Sequence, residues 1–174
     1  MRQSLMVVVA MMVVGCGEGS KQESCDVAPT VRSGSFSAKS ALDRHNAIRR
    51  EVFGDAPLVW SDSLAHSAQA YAEHLASTGQ FQHASTKYGE NLFASTHRVG
   101  YLEAIYSWYH EKSQYDHATN HCQGVCGHYT QMIWKESRAL GCGRATYRAG
   151  GFTGGTIIVC RYDPVGNYVG ERPY

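Results

Sequence analysis

The sequence has 174 residues, with 16 Lys or Arg and 15 Asp or Glu, and its formal net charge is +1. The basic residues form no block or stripe, which argues against nucleic-acid binding. Beyond the N-terminal segment, the length fits a single folded domain.

The N-terminal segment has the pattern of an export signal. Arg2 precedes ten apolar residues at positions 5–14, too few to cross the ~30 Å hydrocarbon core of a bilayer but typical of a signal peptide. The Val-Val-Gly-Cys at residues 13–16, where this run ends, resembles a bacterial lipobox, which predicts cleavage before Cys16 and its acylation. The alternative is an ordinary cleaved signal. We expect residues 1–15 to be a signal peptide, 16–36 a lipidated tether at the membrane, and 37–174 one domain.

Apolar residues recur at helical spacing in three segments of this domain, and we predict helices at residues 37–53, 63–78 and 99–112. Residues 80–98 are polar and are predicted to be mostly loop. Residues 113–127 form a loop rich in His, Gly and Cys that leads to a short apolar turn at 129–134. Strand patterns at 140–147 and 156–162 predict a hairpin around the glycine-rich turn at 149–155. Helices followed by strands favour a layered α+β domain.

Six cysteines are present, and in an exported protein disulfides are the expected state of those that are not lipidated. Cys122 and Cys126 lie in one loop, close enough to bridge locally. Cys142 and Cys160 lie on the two strands of the predicted hairpin, where a cross-link would hold the register. Cys25 is left over, either free or paired between chains.

A zinc site is the alternative for part of this set. Its ligands would be His121, Cys122, Cys126 and His128. Cys-x₃-Cys with adjacent histidines is poor spacing for a zinc finger, and export favours oxidised thiols. Disulfides are therefore the preferred interpretation.

Common catalytic motifs are missing from the sequence, and four short motifs carry the functional signal instead. His110-Glu111 is not followed by the second histidine of H-E-x-x-H, and neither G-x-S-x-G nor a P-loop occurs. The four motifs are His-Asn-Ala-Ile-Arg at 45–49, Gly-Glu-Asn-Leu at 89–92, Gly-His-Tyr-Thr-Gln-Met-Ile-Trp at 127–134 and Val-Cys-Arg-Tyr-Asp-Pro-Val-Gly-Asn-Tyr at 159–168. In this order, the sequence resembles the CAP superfamily of cysteine-rich secretory proteins, venom antigen 5 and plant pathogenesis-related proteins. The resemblance runs from about residue 40 to Tyr174.

The resemblance implies a three-layer α-β-α sandwich with a central cleft. Two histidines and two glutamates of such proteins face the cleft, and the matching positions are His83, Glu90, Glu111 and His128. Some relatives bind a divalent cation, often zinc, which here would be held by His83 and His128. The resemblance also supports the disulfides Cys122–Cys126 and Cys142–Cys160. Plant relatives have a third disulfide, whose positions fall in residues 77–80 and 144–147; this sequence has no cysteine there, so the loop carrying His83 lacks that bridge.

The four cleft residues have three interpretations. The first is a divalent-metal site, and the second is a hydrogen-bonded network without a ligand. The third is a hydrolase site in which Ser85 near His83 is the nucleophile. His45 and Arg49 are expected to serve helix packing and loop hydrogen bonding. The remaining histidines are expected to be surface or loop residues; they are His66, His74, His97, His110, His117 and His121.

Aromatic residues suggest a groove for a lipid or sterol, although core packing explains any single one of them as well. They are Tyr71, Tyr101, Tyr106, Trp108, Tyr109, Tyr129 and Trp134. We expect a non-catalytic extracytoplasmic module that binds lipid, sterol or another hydrophobic ligand, with a divalent cation in the cleft. The alternative is a secreted hydrolase that uses the same cleft.

Overall fold

The computed structural model describes residues 37–174. The predictions for residues 1–36, including those for Cys16 and Cys25, lie outside the described residues. No helix within residues 37–174 is long and apolar enough to cross a membrane.

The helices and strands follow one another along the whole described segment. They are α1 (Ala38–Phe53), β1 (Val59–Trp60), α2 (Asp62–Thr78), β2 (Gly89–Ser95), α3 (Tyr101–His110), a 3₁₀ turn (Glu111–Gln114), β3 (Tyr115–Asp116), β4 (His121–Cys122), α4 (Gly127–Met132), β5 (Ala139–Thr146) and β6 (Thr156–Asp163). The three predicted helices and the predicted hairpin of β5 and β6 are confirmed, with ends shifted by one or two residues.

Local capping explains where α1 and α2 begin and end. The hydroxyls of Ser37 and Ser61 accept hydrogen bonds from backbone N–H groups in the first turns of α1 and α2. Gly79 ends α2 at φ 70°, a left-handed conformation that favours glycine. Its backbone also lies against Gly150, because a Cβ added at Gly79 would lie 2.7 Å from the Gly150 nitrogen.

The main sheet has four strands in the order β1-β5-β6-β2, with β1 parallel to β5 and the other pairs antiparallel. The prediction of loop was wrong for residues 89–95, which form β2. Gly, Glu and Asn open this segment and are depleted in strands. Its seven residues become a strand because all of them pair with β6, from Gly89 opposite Tyr162 to Ser95 opposite Thr156.

Side chains of β6 alternate between the two faces of the sheet. Ile157 and Val159 pack into a core formed with α2. Ile158, Cys160 and Tyr162 pack into a second core formed with α1, α3 and α4. Helices thus cover both faces, and the predicted three-layer α-β-α sandwich is confirmed.

The two predicted disulfides, Cys122–Cys126 and Cys142–Cys160, are both formed. Cys142 and Cys160 are opposite each other in β5 and β6, and their bond crosses the hairpin. The bond between Cys122 and Cys126 links β4 to the start of α4. Because both thiols of the latter pair are in a disulfide, the alternative zinc site with His121 and His128 is not formed.

Candidate functional site

The first part of the site is a histidine–glutamate pair at the start of β2. His83, in the loop between α2 and β2, places Nδ1 2.9 Å from Glu90 Oε1. The backbone N–H of Ala84 donates to the same oxygen at 3.0 Å. The imidazole is half exposed, whereas the Glu90 carboxylate is 4% exposed.

Arg161 holds the other oxygen of this carboxylate. It lies opposite Glu90 in the register of β2 and β6, and its Nε and Nη2 donate to Glu90 Oε2 at 3.3 and 3.2 Å. Its Nη1 donates to the hydroxyl of Ser67 on α2, and its guanidinium carbon lies 5.4 Å from the centroid of the Tyr71 ring. Sequence reasoning did not single out Arg161, although the alternation of β6 places residue 161 on the same face as Ile157 and Val159.

The second part of the site is the pair of His128 and Glu111 between α3 and α4. His128 Nδ1 lies 2.6 Å from Glu111 Oε1. Glu111 Oε2 accepts the backbone N–H groups of His128 and Tyr129 at 3.0 and 3.1 Å, and so caps the first turn of α4. The His128 ring stacks on Trp108 with centroids 6.0 Å apart. Both side chains of the pair are largely buried.

The two histidine–glutamate pairs therefore have the same hydrogen-bond arrangement. In each, one carboxylate oxygen faces the imidazole Nδ1 and the other accepts two N–H donors. A carboxylate on Nδ1 makes that nitrogen the proton donor, which leaves Nε2 with a lone pair. Neither Nε2 has a hydrogen-bond partner within residues 37–174. Over the same residues, no group of three or more His, Cys, Asp or Glu side chains is arranged to hold a metal ion.

A buried chain of hydrogen bonds connects the site to α1. Asn91 follows Glu90 in β2, and its amide donates to the His128 carbonyl at 3.0 Å and to the Tyr162 hydroxyl at 3.2 Å. That hydroxyl lies 2.8 Å from His45 Nε2, whose ring is held from the other side by the Ala41 carbonyl. Burial lowers the pKa of His45 to about 4 and raises the pKa of Tyr162.

His45 and Arg49 have the structural roles expected for them. Arg49 is buried and donates from Nη1 to the carbonyls of Met132, the last residue of α4, and Trp134, two residues beyond it. Burial lowers the pKa of Arg49 to about 10. The two residues thus join α1 to both β6 and α4.

Hydrogen bonds hold the loop of His83 at the positions where the resemblance implied a third disulfide in plant relatives. Tyr147, in one of the two stretches without cysteine, donates its hydroxyl to the carbonyl of Gln80, in the other, at 3.0 Å. Burial raises the pKa of Tyr147 to about 12. Tyr71 donates to the Gln82 carbonyl at 2.8 Å. Gln80 and Gln82, three residues and one residue before His83, are therefore tied to the rest of the domain without a covalent link.

The remaining candidates are not joined to the two pairs. Ser85 is exposed, and no hydrogen bond links it to His83 in the described part of the chain. The six other histidines are exposed, as expected: His66, His74, His97, His110, His117 and His121. Among the aromatic candidates, Tyr101, Trp108, Tyr129 and Trp134 are buried in the core, and Tyr106 is exposed.

A cavity of about 390 Å³ lies at the C-terminal segment. Its apolar lining comes from Trp134, Pro164, Val165, Tyr168, Pro173 and Tyr174, and charged residues also contribute, namely Lys135, Glu136, Glu171 and Arg172. Of the aromatic residues predicted to form a groove, Trp134 contributes to this cavity. Lys135 and Glu136 lie between α4 and β5, and the remaining lining residues follow β6.

An α-β-α sandwich with two histidine–glutamate pairs beside one strand is the architecture that the sequence motifs implied. The model of the cysteine-rich secretory protein (CAP) family matches residues 42–162. Pathogenesis-related protein 1 from Arabidopsis thaliana is 42% identical over 138 residues, which are 79% of this chain and 83% of that protein. The chain therefore belongs to the cysteine-rich secretory protein (CAP) family. Membership of this family supports the predicted extracytoplasmic location.

Solved structures share the fold at lower sequence identity. Venom allergen-like protein 4 from Schistosoma mansoni is 24% identical, with a TM-score of 0.62 over 78% of this chain and 92% of that one. The crystal structure of NaASP2 with Zn²⁺ is 21% identical, with a TM-score of 0.60 over 83% of this chain and 90% of that one. At these identities, the likeness shows the fold.

Proposed function

We propose that this protein is a non-catalytic extracytoplasmic module that holds a divalent cation on His83 and His128 and takes a lipid, sterol or similar hydrophobic ligand. The observation that carries the cation site is the carboxylate on each imidazole Nδ1. Metal-ligating histidines usually carry such a partner, which sets the tautomer and leaves Nε2 for the ion.

The donor chemistry favours zinc. Glu90 and Glu111 each have both oxygens occupied by N–H donors, so imidazole nitrogen is the free donor type. Imidazole suits zinc, copper and nickel, whereas carboxylate oxygen suits magnesium and calcium. Two histidines fit an open site completed by water rather than a closed four-ligand site. Bound there, zinc would supply positive charge and open positions for an anionic group. The related fold of NaASP2, solved with Zn²⁺, agrees with this proposal.

Metal content after purification without chelators tests the cation site. The wild-type protein should retain zinc, and the double variant His83→Ala/His128→Ala should lose it. The matched control is His66→Ala/His74→Ala, which removes two exposed histidines of α2 and should retain zinc. Equal zinc stoichiometry in all three proteins would refute the site.

The cavity at the C-terminal segment is our candidate for the hydrophobic ligand. Its volume of about 390 Å³ lies within the ~300–1,000 Å³ that is usual for small-molecule pockets. Aromatic and proline side chains offer apolar contacts, while Lys135 and Arg172 offer positive charge for a carboxylate or sulfate head group. Tyr168 is 51% exposed beside this cavity.

Titration with a fluorescent fatty acid and with a sterol sulfate tests this assignment. Tyr168→Ser should weaken binding several-fold, because it removes an aromatic side chain that lines the cavity. Tyr106→Ser is the matched control, since Tyr106 on α3 is similarly exposed, at 46%, and does not line the cavity. Equal binding by the two variants would rule out the cavity as the ligand site.

The alternative is a hydrolase that uses Ser85 and the same cleft. A histidine held by a carboxylate is also how a general base is oriented, and this keeps the alternative open to experiment. A serine nucleophile needs a hydrogen bond to its base, and none joins Ser85 to His83 within residues 37–174. Assay against peptide and ester libraries should find no turnover. Hydrolysis that disappears in both Ser85→Ala and Glu111→Ala would establish the enzyme instead.

A further inference from the structure

Arg161 supplies the two N–H donors on the second oxygen of Glu90 from a side chain, which a mutation can replace. Its side chain is 9% exposed and makes two hydrogen bonds to Glu90 Oε2 and one to Ser67, with the ring of Tyr71 against the face of its guanidinium. At Glu111, the corresponding two donors are backbone N–H groups of α4.

We propose that Arg161 is a positioning residue that fixes which atom of residue 90 faces His83 Nδ1 and, through that atom, supports the tautomer of His83. The proposal rests on the cation site proposed above, because the tautomer decides whether Nε2 can bind a metal. A guanidinium only donates hydrogen bonds, so Arg161 always requires a hydrogen-bond acceptor on residue 90. In the wild-type protein, residue 90 is a carboxylate with an acceptor at each end, so one oxygen binds Arg161 while the other keeps the His83 proton on Nδ1.

Replacing Glu90 by Gln distinguishes the positioning role of Arg161 from a role in packing alone. An amide has one acceptor and one donor end, and Arg161 and the Ala84 N–H compete for the oxygen. The two charge-assisted bonds of Arg161 are each roughly twice as strong as a neutral one, so the oxygen turns to Arg161. The amide NH₂ then faces His83 Nδ1, and the imidazole proton moves to Nε2. The lone pair that would bind a metal is lost.

Removing Arg161 as well should reverse the effect. In Glu90→Gln/Arg161→Met, the Ala84 N–H is the remaining competitor for the amide oxygen, and it lies on the same side as His83. The oxygen turns back, and the His83 proton returns to Nδ1. Glu111→Gln should likewise move the His128 proton to Nε2, but Arg161→Met cannot restore it, since backbone N–H groups hold the amide oxygen there.

Long-range ¹H–¹⁵N NMR of the metal-free, labelled protein in alkaline buffer reports which imidazole nitrogen carries the proton. The expected His83 proton positions are Nδ1 in the wild type, Nε2 in Glu90→Gln and Nδ1 in Glu90→Gln/Arg161→Met. Zinc affinity should fall about 10- to 100-fold in Glu90→Gln and return to within several-fold of wild type in the double variant. Glu111→Gln/Arg161→Met is the control and should keep the His128 proton on Nε2.

Each outcome bears on one proposal. A proton that stays on Nδ1 of His83 in Glu90→Gln overturns the role of Arg161. Glu90→Gln leaves a buried unpaired charge, so folding is checked by circular dichroism. If that variant does not fold, the double variant decides, since it has no such charge: a proton on Nε2 of His83 there overturns the role. A wild-type protein that binds no zinc refutes the cation site, while the NMR result still decides the role of Arg161.

Discussion

Acid should destabilise this protein through His45. The side chain is completely buried, its Nδ1 bonds the Ala41 carbonyl and its Nε2 accepts the Tyr162 hydroxyl. Burial lowers the pKa of His45 from 6.5 to about 4; the bond to Ala41 opposes this change, and the charge of Arg49 adds to it. Protonation would also turn Nε2 into a donor that faces Tyr162, the hydroxyl to which Asn91 donates.

The direction follows from proton linkage. Between about pH 6.5 and pH 4, the unfolded chain protonates His45 and the folded protein does not, so the free energy of unfolding falls as the pH falls. The pKa difference corresponds to a loss on the order of 3 kcal/mol, complete below the folded-state pKa. A small domain has a total stability of roughly 5–15 kcal/mol, so this loss is large enough to measure.

Urea unfolding at pH 7, 6, 5 and 4 measures the effect. His45→Gln should be less stable than wild type at pH 7, because the Tyr162 and Ala41 hydrogen bonds are disturbed, but it should lose less stability on acidification. His66→Gln removes an exposed histidine of α2 and should follow the wild-type pH profile. Parallel profiles for wild type and His45→Gln between pH 6.5 and pH 4 would refute the reasoning.

Three further predictions concern packing, the loop of His83 and the N-terminus. Gly143→Ala should lower the melting temperature strongly, since its Cβ would lie 2.3 Å from backbone atoms of α2, whereas Gly151→Ala has nothing within 4 Å and should not. Tyr147→Phe should cost about 1 kcal/mol in urea unfolding and speed hydrogen exchange near Gln80, because it removes one hydrogen bond. Cys16→Ala should move the protein from the membrane fraction to the soluble fraction, because it removes the proposed acylation site.

Each of these has a contrary outcome. Equal melting temperatures for the two glycine variants would mean that α2 does not pack closely on the sheet. Unchanged exchange in Tyr147→Phe would mean that other contacts hold the loop. An unacylated Cys16, found by mass spectrometry of the wild-type N-terminus, would make the protein secreted rather than anchored.

Much of the secondary structure could be predicted because its signals are local. Apolar spacing, the caps at Ser37 and Ser61 and the stop at Gly79 are sufficient to outline α1 and α2. β2 could not be predicted in this way, because its residues have poor strand propensity and its hydrogen-bond partner β6 lies more than 60 residues further along the chain. Long-range pairing overrode the local preference.

The sequence by itself determined the family, the layered fold, the export pattern and which cysteines, histidines and glutamates to examine, because motifs and periodicity can be read from neighbouring residues. Only the tertiary structure decided that each glutamate serves one histidine and that Arg161 completes one of the two pairs. Glu90 and Arg161 are 71 residues apart in sequence and meet through the register of β2 and β6. A hydrogen bond requires its atoms to be within about 3 Å, and no pattern in a linear sequence specifies that distance.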